Sequence, residues 1–232
     1  YLDGAGLSAE ELAEVESLVE LEADSEGMFD ASAVELARDF VGAATSAAGT
    51  MVGPYKIVSE LGLPVAPTTM ATFGDQTVLV VERFDRAWMD DGAWIARLPQ
   101  EDFCQALGIS PHRKYEADKG PRIEQLAQVL SASQNARADL RTLLASQVAF
   151  WLLAATDGHA KNFSIHLYAR GSYALTPMYD VMSAWPIIGN GKYQLAWRDA
   201  KLAMSVSGKN RHYALATIMR RHFNSTAAKC GW

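Results

Sequence analysis

The opening part of the chain carries apolar residues at helical spacing among many acidic ones. In residues 8–23 the apolar positions fall on one side of a helix, after a capping-box pair formed by Ser8 and Glu11. The same start signal repeats before a second predicted helix over 31–45. Small residues and glycine then lead to a proline, which predicts a loop over 47–54.

The hydrophobic pattern changes after a short predicted helix over 55–61, which should end at Gly62. Two β-rich runs, "TTMATF" and "QTVLVVERF", flank Gly74 and Asp75 and predict a hairpin. The next stretch, "RAWMDDGAW", has the composition of a turn region.

The rest of the chain is predicted to be mostly helical, with one small hairpin. Segment 139–155 contains "LLASQVAFWLLAA", which is apolar nearly all round and therefore typical of a central buried helix. A hairpin is predicted from 163–168 and 173–176, around "ARGS". The other predicted helices are 99–107, 122–132 and 211–228.

This order of elements predicts an α+β fold with two lobes, joined near residues 84–92. Acidic residues dominate positions 1–40, where twelve Asp and Glu stand against Arg38 alone. Residues 1–54 are therefore interpreted as an acidic helical segment. A charged stretch of this kind is ordinarily a solvated face.

Composition and charge exclude several classes of protein. Hydrophobic residues make up 49% of the 232 residues and charged residues 21%, values typical of globular rather than disordered chains. No apolar run reaches the length of about 18 residues that spans a bilayer, and the start of the chain lacks a secretory signal pattern. Cys104 and Cys230 form neither a disulfide framework nor a metal-binding spacing. A cytoplasmic protein without membrane association is expected.

A dense group of polar residues follows the predicted central helix. Asp157, His159, Lys161 and Asn162 fall within six positions, and Asp180 comes eighteen residues after Asn162. Phosphoryl transfer needs a carboxylate to accept a hydroxyl proton and hard oxygen ligands for Mg²⁺, which an Asp–Asn pair supplies. Asp157 and Asn162 have the separation of the Asp and Asn in the protein-kinase catalytic loop. The cluster therefore favours phosphoryl transfer.

Two stretches around this cluster carry a family resemblance. "TDGHAKNFS", followed by "YALTPMYDVMSAWP", resembles the HipA family of bacterial serine/threonine kinases, the toxins of toxin–antitoxin pairs. Further similar blocks are "LGLPVAPTTMATFGDQTVLVVERFDR", "RLPQEDFCQALG", "KYEADKGP" and "KLAMSVSGKNRHY". The resemblance covers about residues 55–229, and the combination of D-G-H-x-K-N with Y-D is specific.

The resemblance implies a role for each matching position. Asp157 would be the general base, and Asn162 and Asp180 would bind Mg²⁺ and ATP. The backbone of a hinge would pair with adenine, while other residues would lie beside the phosphates or the metal. These further ATP-binding positions are Glu82, Arg83 and Phe84 in the hinge, and His159, Ala160, Lys161 and Tyr179 around the phosphates and the metal acid.

The resemblance also implies a fold and partners. The fold would be two-lobed and kinase-like, with residues 55–86 as a remnant of the N-lobe that includes the hinge, and 87–232 as a mainly helical C-lobe. ATP and Mg²⁺ would be the cofactors. The expected partners are a helix-turn-helix antitoxin, operator DNA held through that antitoxin, and a protein serine acceptor such as an aminoacyl-tRNA synthetase.

The chain departs from the kinase pattern in its opening part. Residues 1–54 contain no lysine, and Lys56, the first one, falls on the predicted short helix rather than on a strand. "DGAGLS" and "GAATSAAGT" contain glycine, but neither follows a predicted strand as a phosphate-covering loop does. Because each such electrostatic contact is typically worth about 10² to 10³ in rate, weak phosphate transfer is expected.

Three other functions agree with parts of the pattern. The first is a pseudokinase-like protein that binds an antitoxin and nucleotide without transfer. The second is a small-molecule phosphotransferase, since antibiotic kinases use a related Asp-x-x-x-x-Asn loop. The third is a metal hydrolase that would use Asp157, His159, His166 and Asp180, in which Asn162 would have no function.

Overall fold

The computed structural model describes residues 51–52, 55–56 and 62–232. The helices predicted over 8–23 and 31–45 lie outside the described residues. Strand β1 (Met51–Val52) pairs antiparallel with β2 (Tyr55–Lys56). The helix predicted over 55–61 is therefore wrong at its start, because the backbone of Tyr55–Lys56 pairs across to β1 instead of forming a helical turn.

The first predicted hairpin is confirmed. Strand β3 (Thr68–Phe73) pairs antiparallel with β4 (Gln76–Val81), in a register that runs from Thr68 opposite Val81 to Phe73 opposite Gln76. Gly74 has a φ of +63°, in the left-handed region that glycine enters without steric cost. The turn signal in the sequence therefore fixed the position of the hairpin.

A second hairpin lies where the sequence indicated only a turn region. Strand β5 (Arg86–Met89) pairs with β6 (Trp94–Arg97) around the turn at Asp90–Gly92. The Trp94 indole N–H donates to an Asp90 carboxylate oxygen at 2.8 Å across this turn. The turn predicted at "MDDGA" is confirmed, but the sequence analysis did not predict the two short strands on either side of it.

Four helices of the described chain contribute to its core. Helix α3 confirms the predicted central buried helix, with both ends shifted three residues towards the N-terminus. It ends before Ala154, which takes a left-handed φ of +48° that no helix continues through. The helices are α1 (Phe103–Ala106), α2 (Ile123–Leu130), α3 (Ala136–Leu152) and α4 (Arg220–Lys229).

Strands occupy more of the second half of the chain than the pattern indicated. The predicted small hairpin is confirmed as β8 (Ser164–Leu167) and β9 (Tyr173–Leu175). It gains a third strand, β7 (Gln100–Asp102), where the start of a helix was predicted over 99–107. Strands β10 (Lys201–Ser207) and β11 (Arg211–Ala214) form a further antiparallel pair.

The helix predicted over 211–228 is thus wrong for its first part, because Arg211–Ala214 pairs with β10 and α4 begins only at Arg220. Six of the seven residues of β10 are buried, including Ser205 and Ser207, so polar residues in this pair of strands do not mark a solvent-facing side.

The core joins α2, α3 and α4 to the sheet strands. Its largest fully buried side chains include Phe103, Leu126, Leu143, Phe150 and Met204. Within the described part of the chain, no helix has the length and apolar character needed to cross a membrane. Helix α3 contributes Leu140, Leu143, Phe150 and Trp151 to this core. The loop that follows its C-terminal end carries the polar cluster.

Candidate active site

The loop after α3 is held against the end of that helix. The Ala155 N–H donates to the Phe150 carbonyl at 2.7 Å, which turns the chain back on the helix. Gly158 then packs directly on the Phe150 ring, since a Cβ at this position would lie 2.4 Å from the ring carbons. This close approach fixes the path of the loop and leaves the Asp157 side chain half-exposed.

Asn162 links the loop to Asp180. The His159 N–H donates to the Asn162 amide oxygen at 3.0 Å, and the Asn162 N–H donates to the His159 carbonyl at 2.9 Å. The Asn162 Nδ2 then donates to an Asp180 carboxylate oxygen at 3.2 Å. The structure thus brings together two side chains that are eighteen positions apart.

Asp180 adopts a strained backbone conformation. Its φ of +57° lies in the left-handed region, which Asp tolerates better than most residues but still at a cost. Strain of this kind persists where the surrounding structure imposes it and is frequent at functional sites. Asp180 and Asn162 both carry oxygen atoms of the type that Mg²⁺ prefers, although the Asn162 amide oxygen accepts the His159 N–H and its Nδ2 faces Asp180.

The described residues do not assemble a metal-hydrolase site. Among them, no three or more His, Cys, Asp or Glu side chains form a group that could hold a metal ion. His166 lies on β8 and its ring packs edge-on against Phe84. The ligand set of Asp157, His159, His166 and Asp180 is therefore not brought together.

Tyr115 completes the surroundings of Asp157. Its hydroxyl donates to the Asp157 Oδ1 at 2.5 Å, and this hydrogen bond raises the pKa of Tyr115 above its ordinary value. The His159 Nε2 lies 3.8 Å from the same oxygen, and the rings of Tyr115 and His159 meet edge to face at 5.0 Å. Sequence reasoning missed Tyr115, which precedes Asp157 by 42 positions and was noticed only within the "KYEADKGP" block.

His159 is buried without a hydrogen bond to its ring. Within the described part of the chain, neither Nδ1 nor Nε2 has a hydrogen-bond partner. Burial, with a smaller effect of the Lys114 charge, lowers the pKa of His159. The neutral form of the imidazole is therefore favoured at pH 7, and its two ring nitrogens are buried polar atoms of the kind that is rarely left unpaired.

Lys161 pairs with an acid that the sequence did not indicate. Its Nζ lies 2.5 Å from the Asp102 Oδ2. The other carboxylate oxygen of Asp102 accepts the Gln105 N–H at 3.0 Å and so caps α1. The Lys161 ammonium is thus tied to the start of α1 rather than free to approach a phosphate.

Tyr179 and Ala160 support the loop from within. The Tyr179 hydroxyl donates to the Lys161 carbonyl at 2.7 Å and shares a 2.6 Å hydrogen bond with the Ser164 hydroxyl. Burial raises the pKa of Tyr179 to about 12, so the hydroxyl keeps its proton for these contacts. Ala160 is fully buried and offers only its backbone. Both residues fix the loop beside Asp180.

The predicted hinge lies next to this support. The Phe84 ring meets the Tyr179 ring at 5.2 Å. The Glu82 N–H donates to the Pro67 carbonyl at 2.8 Å. The Glu82 carbonyl and the Phe84 N–H have no backbone partner within the described residues.

The Arg83 side chain is paired with an acid. Its guanidinium makes a bidentate contact with the Asp85 carboxylate, with Nε 2.7 Å from Oδ1 and Nη2 2.6 Å from Oδ2. Arg86 Nη1 also donates to Asp85 Oδ2, at 2.5 Å. The hydrogen bond from Arg83, together with the charges of both arginines, lowers the pKa of Asp85 to about 2. Sequence reasoning missed Asp85, which fixes the end of the hinge.

Comparison with known proteins places this geometry in a family. The chain is 36% identical over 129 residues to a Sinorhizobium fredii protein named "Putative kinase Y4mE", which covers 55% of this chain and 30% of that protein. It is 30% identical over 139 residues to the serine/threonine-protein kinase toxin HipA of Shewanella oneidensis, covering 55% of this chain and 32% of the toxin.

A solved structure agrees with these relatives. The complex of HipA, HipB and operator DNA from Shewanella oneidensis superposes with a TM-score of 0.63 and 25% identity, covering 73% of this chain and 40% of that one. The chain spans about a third of the length of the curated relatives it matches. Residues 54–231 match the family described as the HipA-like C-terminal domain, and the chain therefore belongs to that family.

Proposed function

We propose that this chain is the catalytic part of a HipA-type serine/threonine kinase, which transfers the γ-phosphate of ATP to a protein serine. The observation that carries the proposal is the 3.2 Å contact between Asn162 and Asp180, next to the half-exposed carboxylate of Asp157 on the same loop. A base beside an Asp–Asn pair is the set of side chains that phosphoryl transfer requires, and the Asn162 amide oxygen would exchange the His159 N–H for Mg²⁺.

In the proposed reaction Asp157 accepts the proton of the acceptor hydroxyl. The serine oxygen forms its bond to the γ-phosphorus as the bond to the bridging oxygen breaks, and ADP leaves. The Tyr115 hydroxyl, which donates to Asp157 at 2.5 Å, holds that carboxylate in one orientation. Asn162 and Asp180 would hold Mg²⁺, which supplies charge neutralisation at the phosphates.

The nucleotide is proposed to lie between the hinge and Asp180. The free Glu82 carbonyl and Phe84 N–H offer an acceptor and a donor to an adenine edge, and the Phe84 ring lies against Tyr179, the neighbour of Asp180. His159 is buried in the same loop, with no hydrogen-bond partner for its ring nitrogens among the described residues, and its backbone N–H holds the Asn162 amide. Lys161 acts indirectly in this proposal, because its ammonium pairs with Asp102 and fixes the loop.

A second candidate is a pseudokinase-like function in which nucleotide and partner bind without transfer. The pairing of Lys161 with Asp102 favours it, because that cation is engaged by a carboxylate. Calorimetry that shows Mg²⁺-dependent nucleotide binding without turnover would favour this candidate.

The partner proposed for either function is a helix-turn-helix antitoxin. The similar solved structure contains HipA together with HipB and operator DNA. We extend that assembly to this chain, with DNA reached through the antitoxin. An aminoacyl-tRNA synthetase as acceptor and a cytoplasmic location stay predictions.

The test of the kinase proposal uses radiolabelled ATP, Mg²⁺ and candidate protein acceptors. Asp157→Ala removes the base and is expected to lower incorporation by about 10² to 10⁴, the usual contribution of general base catalysis. Asp199→Ala is the matched control, since Asp199 is an exposed acid paired only with the exposed Arg198. Equal incorporation by wild type and Asp157→Ala would reject the assigned base.

A further inference from the structure

A cleft of about 400 Å³ adjoins the proposed base. Thr156 and Tyr115 line it, and Asp157 lies between them, as the next residue after Thr156 and the hydrogen-bond acceptor of Tyr115. None of the residues proposed for nucleotide and Mg²⁺ lines the cleft. The cleft therefore lies beside the base, next to the tyrosine that holds Asp157 and the residue that precedes it.

The walls of this cleft are fixed by a buried carboxylate. Glu116, adjacent to Tyr115, accepts the Ser205 N–H at 2.7 Å and the Ser205 hydroxyl at 2.9 Å. Arg122 and Arg211 lie 3.4 and 3.6 Å from the same carboxylate. These contacts tie the wall around Tyr115 to β10, so the cleft exists before any ligand arrives.

The chemistry of the lining suits a polypeptide. Asp118 and Lys201 are both exposed at the cleft and give it no net charge. Tyr115 and Tyr213 present aromatic rings with hydroxyl groups. The remaining lining is mainly small or apolar, from Ala117, Leu202 and Ala203. Lys201 is the only cation among the lining residues, which is too little positive charge for a polyanion. A peptide can contact both the apolar surface and the two opposite charges.

Resting on the proposed function, we infer that this cleft binds the acceptor polypeptide. A serine-bearing segment lies along it, with the serine hydroxyl at Asp157, an acidic flanking residue at Lys201 and a basic one at Asp118. The volume lies within the range of about 300 to 1,000 Å³ that is usual for ligand sites. The cleft thus selects the acceptor by the charges on either side of its serine.

Binding without ATP tests the cleft separately from catalysis. The probes are two pools of fluorescent nonapeptides with a central serine, one with glutamate-rich flanks and one with lysine-rich flanks, measured by anisotropy. Lys201→Glu should weaken binding of the glutamate-rich pool by about fivefold or more, because attraction becomes repulsion at a rim charge. Asp118→Lys should weaken binding of the lysine-rich pool by a similar factor. Lys209→Glu, on the exposed turn after β10, is the matched control.

The outcomes separate the cleft from the kinase proposal. Cleft-dependent binding without any phosphate transfer supports this inference and rejects the proposed function. Transfer to peptides with a peptide KM unchanged in Lys201→Glu and Asp118→Lys rejects the cleft and leaves the proposed function standing. Absence of saturable binding by wild type, or equal binding by the cleft variants and Lys209→Glu, also overturns the inference.

Discussion

At the scale of single residues, the candidate site depends on hydrogen bonds that hold each acid in one orientation. The Asp157 carboxylate accepts a hydrogen bond from the Tyr115 hydroxyl, and the Asp180 carboxylate accepts one from the Asn162 amide N–H. The Asp102 carboxylate accepts one from a backbone N–H of α1. Each contact joins residues from different elements or fixes the end of one. The catalytic proposal therefore depends on partners that hold the acids as much as on the acids themselves.

The Tyr115 hydroxyl reports directly on the position of Asp157. Its pKa is raised chiefly because it donates a hydrogen bond to that carboxylate. We expect Asp157→Ala to lower the pKa of Tyr115 towards its ordinary value of 10.0, so that the phenol ionises at a lower pH. Carbon-13 NMR of labelled tyrosine rings across pH 9 to 12 measures this titration.

The control for that titration is Asp199→Ala, which removes an exposed acid far from Tyr115 in sequence and outside its contacts. An unchanged Tyr115 titration in Asp157→Ala would show that the hydroxyl does not contact this carboxylate in solution. It would remove the support for an oriented base while leaving the family assignment intact.

The sequence identified the acids but not the residues that hold them. Asp157, Asn162 and Asp180 stood out because five- and eighteen-residue separations are visible along the chain. Tyr115, Asp85 and Asp102 did not, because their partners are set by folding and their side chains are ordinary surface types. Lys161 shows the same limit, since its partner lies 59 positions away.

At the scale of elements, the buried Glu116 joins the cleft wall to the β10–β11 pair. The wall is a tight loop, in which Lys119 takes a left-handed φ of +63°. A Cβ on Gly120 would lie only 2.1 Å from the Arg113 carbonyl oxygen, so this position requires glycine. The sequence analysis identified this stretch only as the "KYEADKGP" block, and nothing in the sequence indicated that Glu116 is buried.

Glu116→Gln should destabilise the fold by about 1 to 3 kcal/mol. The amide keeps the shape, but it loses the charge opposite Arg122 and Arg211 and presents a donor group where the Ser205 donors need an acceptor. The partial exposure of both arginines keeps the cost below that of a fully buried pair. Urea unfolding followed by circular dichroism measures the free energy.

Asp199→Asn is the comparison for that measurement, because an exposed pair at 3.7 Å contributes little to stability. A free energy of unfolding that is the same for Glu116→Gln and Asp199→Asn would contradict the role given to Glu116. The cleft would then lack the fixed wall on which its inferred selectivity depends.

At the scale of the whole molecule, the core and the apolar surface lie on different elements. The helices and the strands β7 to β11 enclose the core, whereas large apolar side chains on the two earlier hairpins are exposed. These include Met70, Phe73, Leu79, Trp88 and Trp94. Two β-rich runs around Gly74 and Asp75 predicted the first hairpin, but β-rich composition alone does not show which face is covered.

Buried histidines make the stability of the described fold depend on pH. Burial lowers the pKa of His159, His166 and His222 below the ordinary value of 6.5. The unfolded chain therefore binds protons on these residues at a pH where the folded chain does not. The free energy of unfolding should be greatest above about pH 6.5 and should fall as the pH decreases below it. Urea unfolding at pH 7.5, 6.5 and 5.5 measures this change.

His222→Gln separates this histidine effect from general acid sensitivity. His222 accepts the Met219 N–H through Nδ1 at 3.2 Å and stacks on His212 at 3.7 Å, with Arg221 adding a repelling charge. Glutamine can keep the acceptor but binds no proton, so the loss of stability between pH 7.5 and 5.5 should become smaller. Asp85, with its pKa of about 2, adds a separate loss only below about pH 4, which the substitution should leave unchanged. The same pH dependence in wild type and His222→Gln would show that this buried imidazole does not contribute.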